Sequence, residues 1–192
     1  MTERPAKIWN ILALVLAVAC GVPANAGSDA LPASDTISSD RPAADSAFLA
    51  LEGGGLRVFL ASTGSSRPLP FGTPSTEVLA VLTTVLGSKP AERGENVDCA
   101  AKYAVWDNGL TVWFTNDRFS GWHVGRGSSL TTSDGLGPGT TRAQLEAARN
   151  AVFTSSSLGE EFTIGELAGL LESAAPDASV QHLWSGHVCI AR

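Results

Sequence analysis

Two stretches of this chain are written to one pattern, and that pattern restricts the fold more than any single residue does. Phe71-Gly72-Thr73-Pro74-Ser75-Thr76-Glu77-Val78 and Pro138-Gly139-Thr140-Thr141-Arg142-Ala143-Gln144-Leu145 both read Gly-Thr, three residues, Glu or Gln, then Val or Leu. The physical content is a helix start. Thr73 is placed to cap, with Pro74 at the first helical position, where its missing N–H costs nothing. Thr140 or Thr141 does the same in the second stretch, and Thr141 with Gln144 has capping-box spacing.

The segments after the two starts are also alike. Val78, Val81, Leu82 and Val85 recur at helical spacing, and Gly87 can end that helix. Leu145, Ala148 and Val152 make a shorter stripe, with Asn150 nearby. The chain then turns to strand signals: Tyr103 to Trp106, Leu110 to Phe114 and Phe119 to Val124 in the first copy. In the second they are Leu167 to Leu171, Val180 to Trp184 and Val188 to Ala191. Asn108-Gly109 suits a two-residue hairpin turn, and Thr115 to Arg118 a second turn. The expectation is an α+β fold of two similar halves, about 51–125 and 130–192. Each half is a helix packed on an antiparallel β-meander, and a disulfide joins them.

That disulfide comes from counting. The chain has 3 cysteines. Cys20 ends an apolar run, Ile8 to Ala19, of about twelve residues, short of the roughly 20 that span a membrane. With Arg4 and Lys7 ahead of it, the run reads as a signal-peptide core. Two cleavage readings compete. Ala24-Asn25-Ala26 is a small-x-small site that would free a chain starting at Gly27. Alternatively, Ala19-Cys20-Gly21 ends a lipobox, and residues 1–19 are removed before Cys20 is lipidated. Ala17 stands where a larger aliphatic residue is usual in that motif. In an oxidising space the remaining Cys99 and Cys189 most simply pair. The bridge closes about 90 residues, worth roughly 4–5 kcal/mol in the chain-entropy treatment.

Residues 20–46 are rich in Pro, Ala, Ser and Asp and poor in large apolar side chains, so they read as a disordered tether. As a coil it would reach roughly 25–30 Å. Residues 47–192 suffice for one globular domain. The net charge of −6 becomes −7 once Glu3, Arg4 and Lys7 leave with residues 1–19. Acidic, unclustered charge argues against nucleic acid and anionic headgroups as partners.

Further segments resemble a known group. Asp107-Asn108-Gly109-Leu110 with Phe119-Ser120-Gly121-Trp122, the run Leu130 to Gly137, Leu158-Gly159-Glu160-Glu161-Phe162 and Trp184-Ser185-Gly186-His187-Val188-Cys189 resemble uncharacterised secreted proteins and lipoproteins of actinobacteria. That resemblance carries no activity. The helix-then-meander tandem is similar to the β-lactamase inhibitor proteins and to small outer-membrane-assembly lipoproteins. It implies a binding or scaffolding module rather than an enzyme.

Catalytic patterns are sparse. The sequence lacks Gly-x-Ser-x-Gly and Ser-x-x-Lys. His187 and Cys189 alternate on a predicted strand with His182 on its neighbour, an arrangement that could seed a metal site. Cys189 is better assigned to the disulfide, so no metal and no cofactor are expected. Glu160 and Glu161 read as the solvent-side start of a strand, and Gly53-Gly54-Gly55 as a bare turn run. The tryptophans are the candidate binding surface. Trp113 alternates away from Leu110, Val112 and Phe114 and would lie on an open sheet face, with Trp106 and Trp122 on flanking strands. A second half covering that face would bury them instead.

The expected function is a non-catalytic, extracytoplasmic binding or scaffolding protein of the cell envelope. Its partner would be a protein or other envelope component, and it would meet the membrane through lipid on Cys20 alone. A secreted inhibitor of an extracellular enzyme is the alternative, and a small extracellular hydrolase the third.

Overall fold

The computed structural model describes residues 47–148 and 150–189. Cys20 and the expected signal segment and tether lie outside the described residues. The elements are β1 (Ala47–Glu52), β2 (Gly55–Leu60), β3 (Ser66–Pro70), α1 (Ser75–Leu86), β4 (Glu92–Asn96), β5 (Ala101–Val105), β6 (Leu110–Thr115) and β7 (Arg118–Val124). After a long connection come α2 (Arg142–Ala148), β8 (Val152–Ser156), β9 (Gly159–Ile164), β10 (Leu167–Leu171) and β11 (Val180–Gly186). No helix among the described residues is long and apolar enough to cross a membrane.

The strands form two antiparallel sheets. One is the meander β1-β2-β3. The other has eight strands in the order β4-β5-β6-β7-β11-β10-β9-β8. Its central ladder pairs β7 with β11, Trp122 opposite Ser185 and His123 opposite Trp184. Every other ladder joins neighbours in sequence, as short hairpin connections require. A mixed fold, mostly antiparallel sheet with short helices, is therefore what the residues build.

One face of the large sheet is core. Leu110, Val112, Phe114, Trp122, Val124, Phe162, Leu171 and Leu183 are buried there together with Val78 and Leu82 of α1 and Leu145 of α2. Leu51, Leu56 and Leu69 of the small sheet, each 0–1% exposed, close the same core from their side. Trp122 fastens the two sheets, since its indole N–H donates to the Glu52 carbonyl at 2.9 Å. The Ser185 hydroxyl lies against the Gly53 and Glu166 carbonyls.

The helix ends show how far local reading carries. Thr141 and Gln144 form the capping box: the Thr141 N–H donates to Gln144 Oε1 at 2.8 Å and the Gln144 N–H to Thr141 Oγ1 at 3.3 Å. Gly87 ends α1 in the left-handed conformation, φ 69°. Thr73 does not cap. Its hydroxyl donates to the Pro70 carbonyl, and Pro74 itself occupies the N-cap without a side-chain bond. Val152 is not on a helix stripe, because α2 stops at Ala148 and Val152 opens β8, 63% exposed.

The hairpins differ slightly from expectation. Asn116 and Asp117, both at positive φ, make the two-residue turn between β6 and β7. The β5–β6 turn spans three residues, Asp107 to Gly109, because the pairing resumes through the Trp106 N–H to the Leu110 carbonyl. Gly109 takes φ 84° there, the left-handed position that a three-residue loop requires. Gly53 and Gly54 turn β1 into β2, which makes the glycine run part of the small sheet.

Candidate functional site

The second face of the eight-stranded sheet carries a cleft of about 340 Å³. Strand alternation decides who lines it. Trp113 stands opposite Gly121, and Thr111 opposite His123. His182 and Trp184 alternate with the core residue Leu183 on β11. These six positions on β6, β7 and β11 turn away from the helices. Leu170 and Leu158 close the cleft on the β8–β9–β10 side.

The fourth wall is a strap made of the chain after β11. The His187 N–H donates to the Ser120 carbonyl at 2.7 Å. Val188 and Cys189 then line the cleft, and Cys189 is bonded to Cys99 just ahead of β5, Cα–Cα 6.0 Å. The strap can lie this low because position 121 is glycine: a Cβ there would sit 2.2 Å from the His187 carbonyl oxygen. Residues 188 and 189 are thus irregular backbone rather than a strand, and residues 190 and 191 of the expected strand lie outside the described residues. The disulfide staples this strap to the far side of the sheet.

At the floor of the cleft His123 Nε2 and His182 Nδ1 are 3.0 Å apart, with ring centroids 5.2 Å apart and planes inclined by 19°. Burial, and then the neighbouring His182, push His123 down from 6.5 to about 4. Burial, then the charge of Arg126, lowers His182 as well. Both rings are therefore neutral at pH 7, and one donates its proton to the other. A neutral pair sharing one proton always presents one donor and one acceptor on its two outer nitrogens.

The tryptophans divide by face. Trp113 is 9% exposed and Trp184 7%. Tyr103 leans on Trp113 with centroids 5.4 Å apart. The Trp113 indole nitrogen is buried without a hydrogen-bond partner among the described residues. Trp106 and Trp122, in contrast, lie in the core rather than on the expected open face. They are 2% and 0% exposed. Trp106 donates to the Ser88 carbonyl, and Trp122 stands opposite Val112, which places it on the core face. Trp184 was the missed residue. Its alternation with His182 was readable, but the pairing of β11 with β7 that brings both beside Trp113 was not.

The residues weighed for chemistry disperse. Cys189 is in the disulfide, and His182 meets His123 instead of joining a metal set. Among the described residues no three His, Cys, Asp or Glu side chains come together. Glu160 and Glu161, adjacent on β9, point to opposite faces. Glu160 is not on the solvent side: its side chain is 12% exposed and takes Arg142 Nη1 at 2.6 Å. Arg142 stacks on Phe153, 4.0 Å from the ring centroid. The Arg142 hydrogen bond, then that of Ser155, holds the Glu160 carboxyl below the usual carboxylate range.

Comparison with protein-family models, with curated proteins and with solved structures finds no significant match to this chain.

Proposed function

We propose that this protein is a non-catalytic binding or scaffolding module of the cell envelope, held outside the cytoplasm through lipid on Cys20, and that it engages its partner through the strapped face of the large sheet. The observation that carries this reading is the cleft itself. Two tryptophans and a tyrosine gather on the sheet face opposite the one on which α1 and α2 pack, and aromatic anchors in a sheltered pocket are where binding energy concentrates. The cleft's histidines are engaged with each other, as suits recognition rather than proton transfer. The disulfide fits an oxidising compartment.

The two halves descend, in this reading, from one duplicated helix-plus-meander unit. The ladders support it. In each run of four strands the pairing of the third with the fourth slips by one residue, at Trp113/Phe114 and at Leu170/Leu171. This same tandem favours a second reading, a secreted inhibitor that seats a loop of its target enzyme on the sheet.

The test is capture from envelope extract on the immobilised full chain, with Trp184→Ala as comparator and mass spectrometry as readout. A component retained by the wild type and lost by the variant is the expected result. Equal retention by both sinks the assignment of the face. Adding the protein to β-lactamase and protease rate assays separates the inhibitor reading. Intact mass settles the anchor, since a mature chain starting at an unmodified Gly27 ends the lipoprotein reading.

A further inference from the structure

The walls and polar groups of the cleft restrict what can fill it. Leu158, Leu170, Val188 and the faces of Trp113 and Trp184 make most of the lining apolar. Its polar side chains are Thr111, His123 and His182, and none is ionised at neutral pH. A charged occupant would lose its hydration there and find no ionised side chain on the lining, the nearest charge being that of Arg126 acting on His182 from outside it, which is costly. The volume, about 340 Å³, falls at the lower end of the roughly 300–1,000 Å³ of small-molecule sites.

Trp113 supplies the second, independent observation. The side chain is nine-tenths buried, yet its indole N–H has no acceptor among the described residues. Trp106 and Trp122 both place that group on a backbone carbonyl, the usual outcome for a buried indole. A buried donor left without a partner destabilises the unoccupied protein, and an acceptor brought by a ligand removes that cost.

We propose that this cleft is a binding site for an uncharged, largely apolar small molecule carrying an oxygen acceptor, a ketone, ester or amide carbonyl, with its apolar body between Trp113 and Trp184 and its oxygen on the Trp113 N–H. The His123–His182 pair offers a further donor and acceptor to the same polar end. The indole nitrogen is closed off from water, so this bond requires the ring of Trp113, which lines the cleft, to turn toward the ligand. Trp113 fluorescence therefore reports occupancy. The inference rests on the binding-module reading and deepens it.

The experiment titrates the purified full chain with three dimethylaminonaphthalene probes: an uncharged ketone (prodan), its analogue with propyl in place of the propionyl group, and its analogue with carboxylate in that place. Expected are saturable binding of the ketone with blue-shifted probe emission and tryptophan quenching, roughly five- to ten-fold weaker binding of the propyl analogue, and a carboxylate weaker still. Trp113→Phe keeps an aromatic ring and removes the N–H, so the ketone's advantage over the propyl analogue disappears. Leu170→Trp fills the cleft and abolishes binding of both, while circular dichroism shows either variant folded. Absence of saturable ketone binding overturns the proposal, as does equal affinity for all three probes or binding that survives Leu170→Trp. If the probes fail while Trp184-dependent capture of an envelope protein persists, the cleft receives a partner's side chain. The small-molecule assignment then falls and the binding-module reading stands.

Discussion

Lowering the pH from 7 toward 4 is expected to remove about 3 kcal/mol of folding stability through His123 alone. The ring is half-buried on the strapped face beside His182, and its folded-state value of about 4 lies below the ordinary 6.5. Between those values the unfolded chain takes up a proton that the folded protein refuses. The unfolded state binds more protons there, so stability falls as pH falls. The gap, at about 1.4 kcal/mol per pH unit, gives the figure of about 3 kcal/mol. His182 is lowered too and adds in the same direction. Glu160 acts in a different window. Its folded value is depressed from 4.5, so its contribution is complete above 4.5 and is lost only below. The assay is urea denaturation tracked by tryptophan fluorescence at pH 7, 6, 5 and 4.5, for wild type and His123→Gln. The wild type loses stability steadily across the series, and the variant loses much less. Parallel pH profiles for the two proteins, or a wild-type profile flat from 6.5 to 4.5, would show that His123 is not the half-buried neutral base described.

Three further outcomes are expected. Cys99→Ala lowers stability by roughly 4–5 kcal/mol in the chain-entropy treatment, read as a loss in melting temperature that added reductant does not deepen. Gly121→Ala forces the strap off β7, costing about 1–3 kcal/mol, and calorimetry should show a smaller cost in a Cys99→Ala background, where the strap can lift freely. Trp122→Phe removes the bond to the Glu52 carbonyl and leaves a cavity between the sheets, costing about 2–4 kcal/mol by denaturant midpoint.

Local rules were legible in the chain. The Thr141–Gln144 capping box, the Gly87 terminator, the Asn116-Asp117 turn and strands β5, β6, β7, β10 and β11 all announce themselves through neighbours within a few residues. Strands β4 and β8 were not visible because they are polar edge strands: Glu92 to Asn96 and Val152 to Ser156 show no apolar alternation to read. β9 showed only as a strand start at Glu160. Glu160 misled because its burial depends on Arg142, a residue on another element. The small sheet was missed for another reason. Its residues are apolar enough, but nothing local says that Leu51, Leu56 and Leu69 roof the core of a second sheet.

By itself the sequence determined which residues alternate on each strand, where α1 ends and α2 begins, and that Cys99 and Cys189 were available to each other. Each of these is a short-range property of backbone geometry and side-chain chemistry. Only the tertiary structure decided that β11 pairs with β7. That one long-range ladder gathers Trp113, His123, His182 and Trp184 around a single cleft, while Trp106 and Trp122 sink into the core. Such a choice comes from burying apolar surface across the whole domain, a sum over distant residues that no local pattern contains.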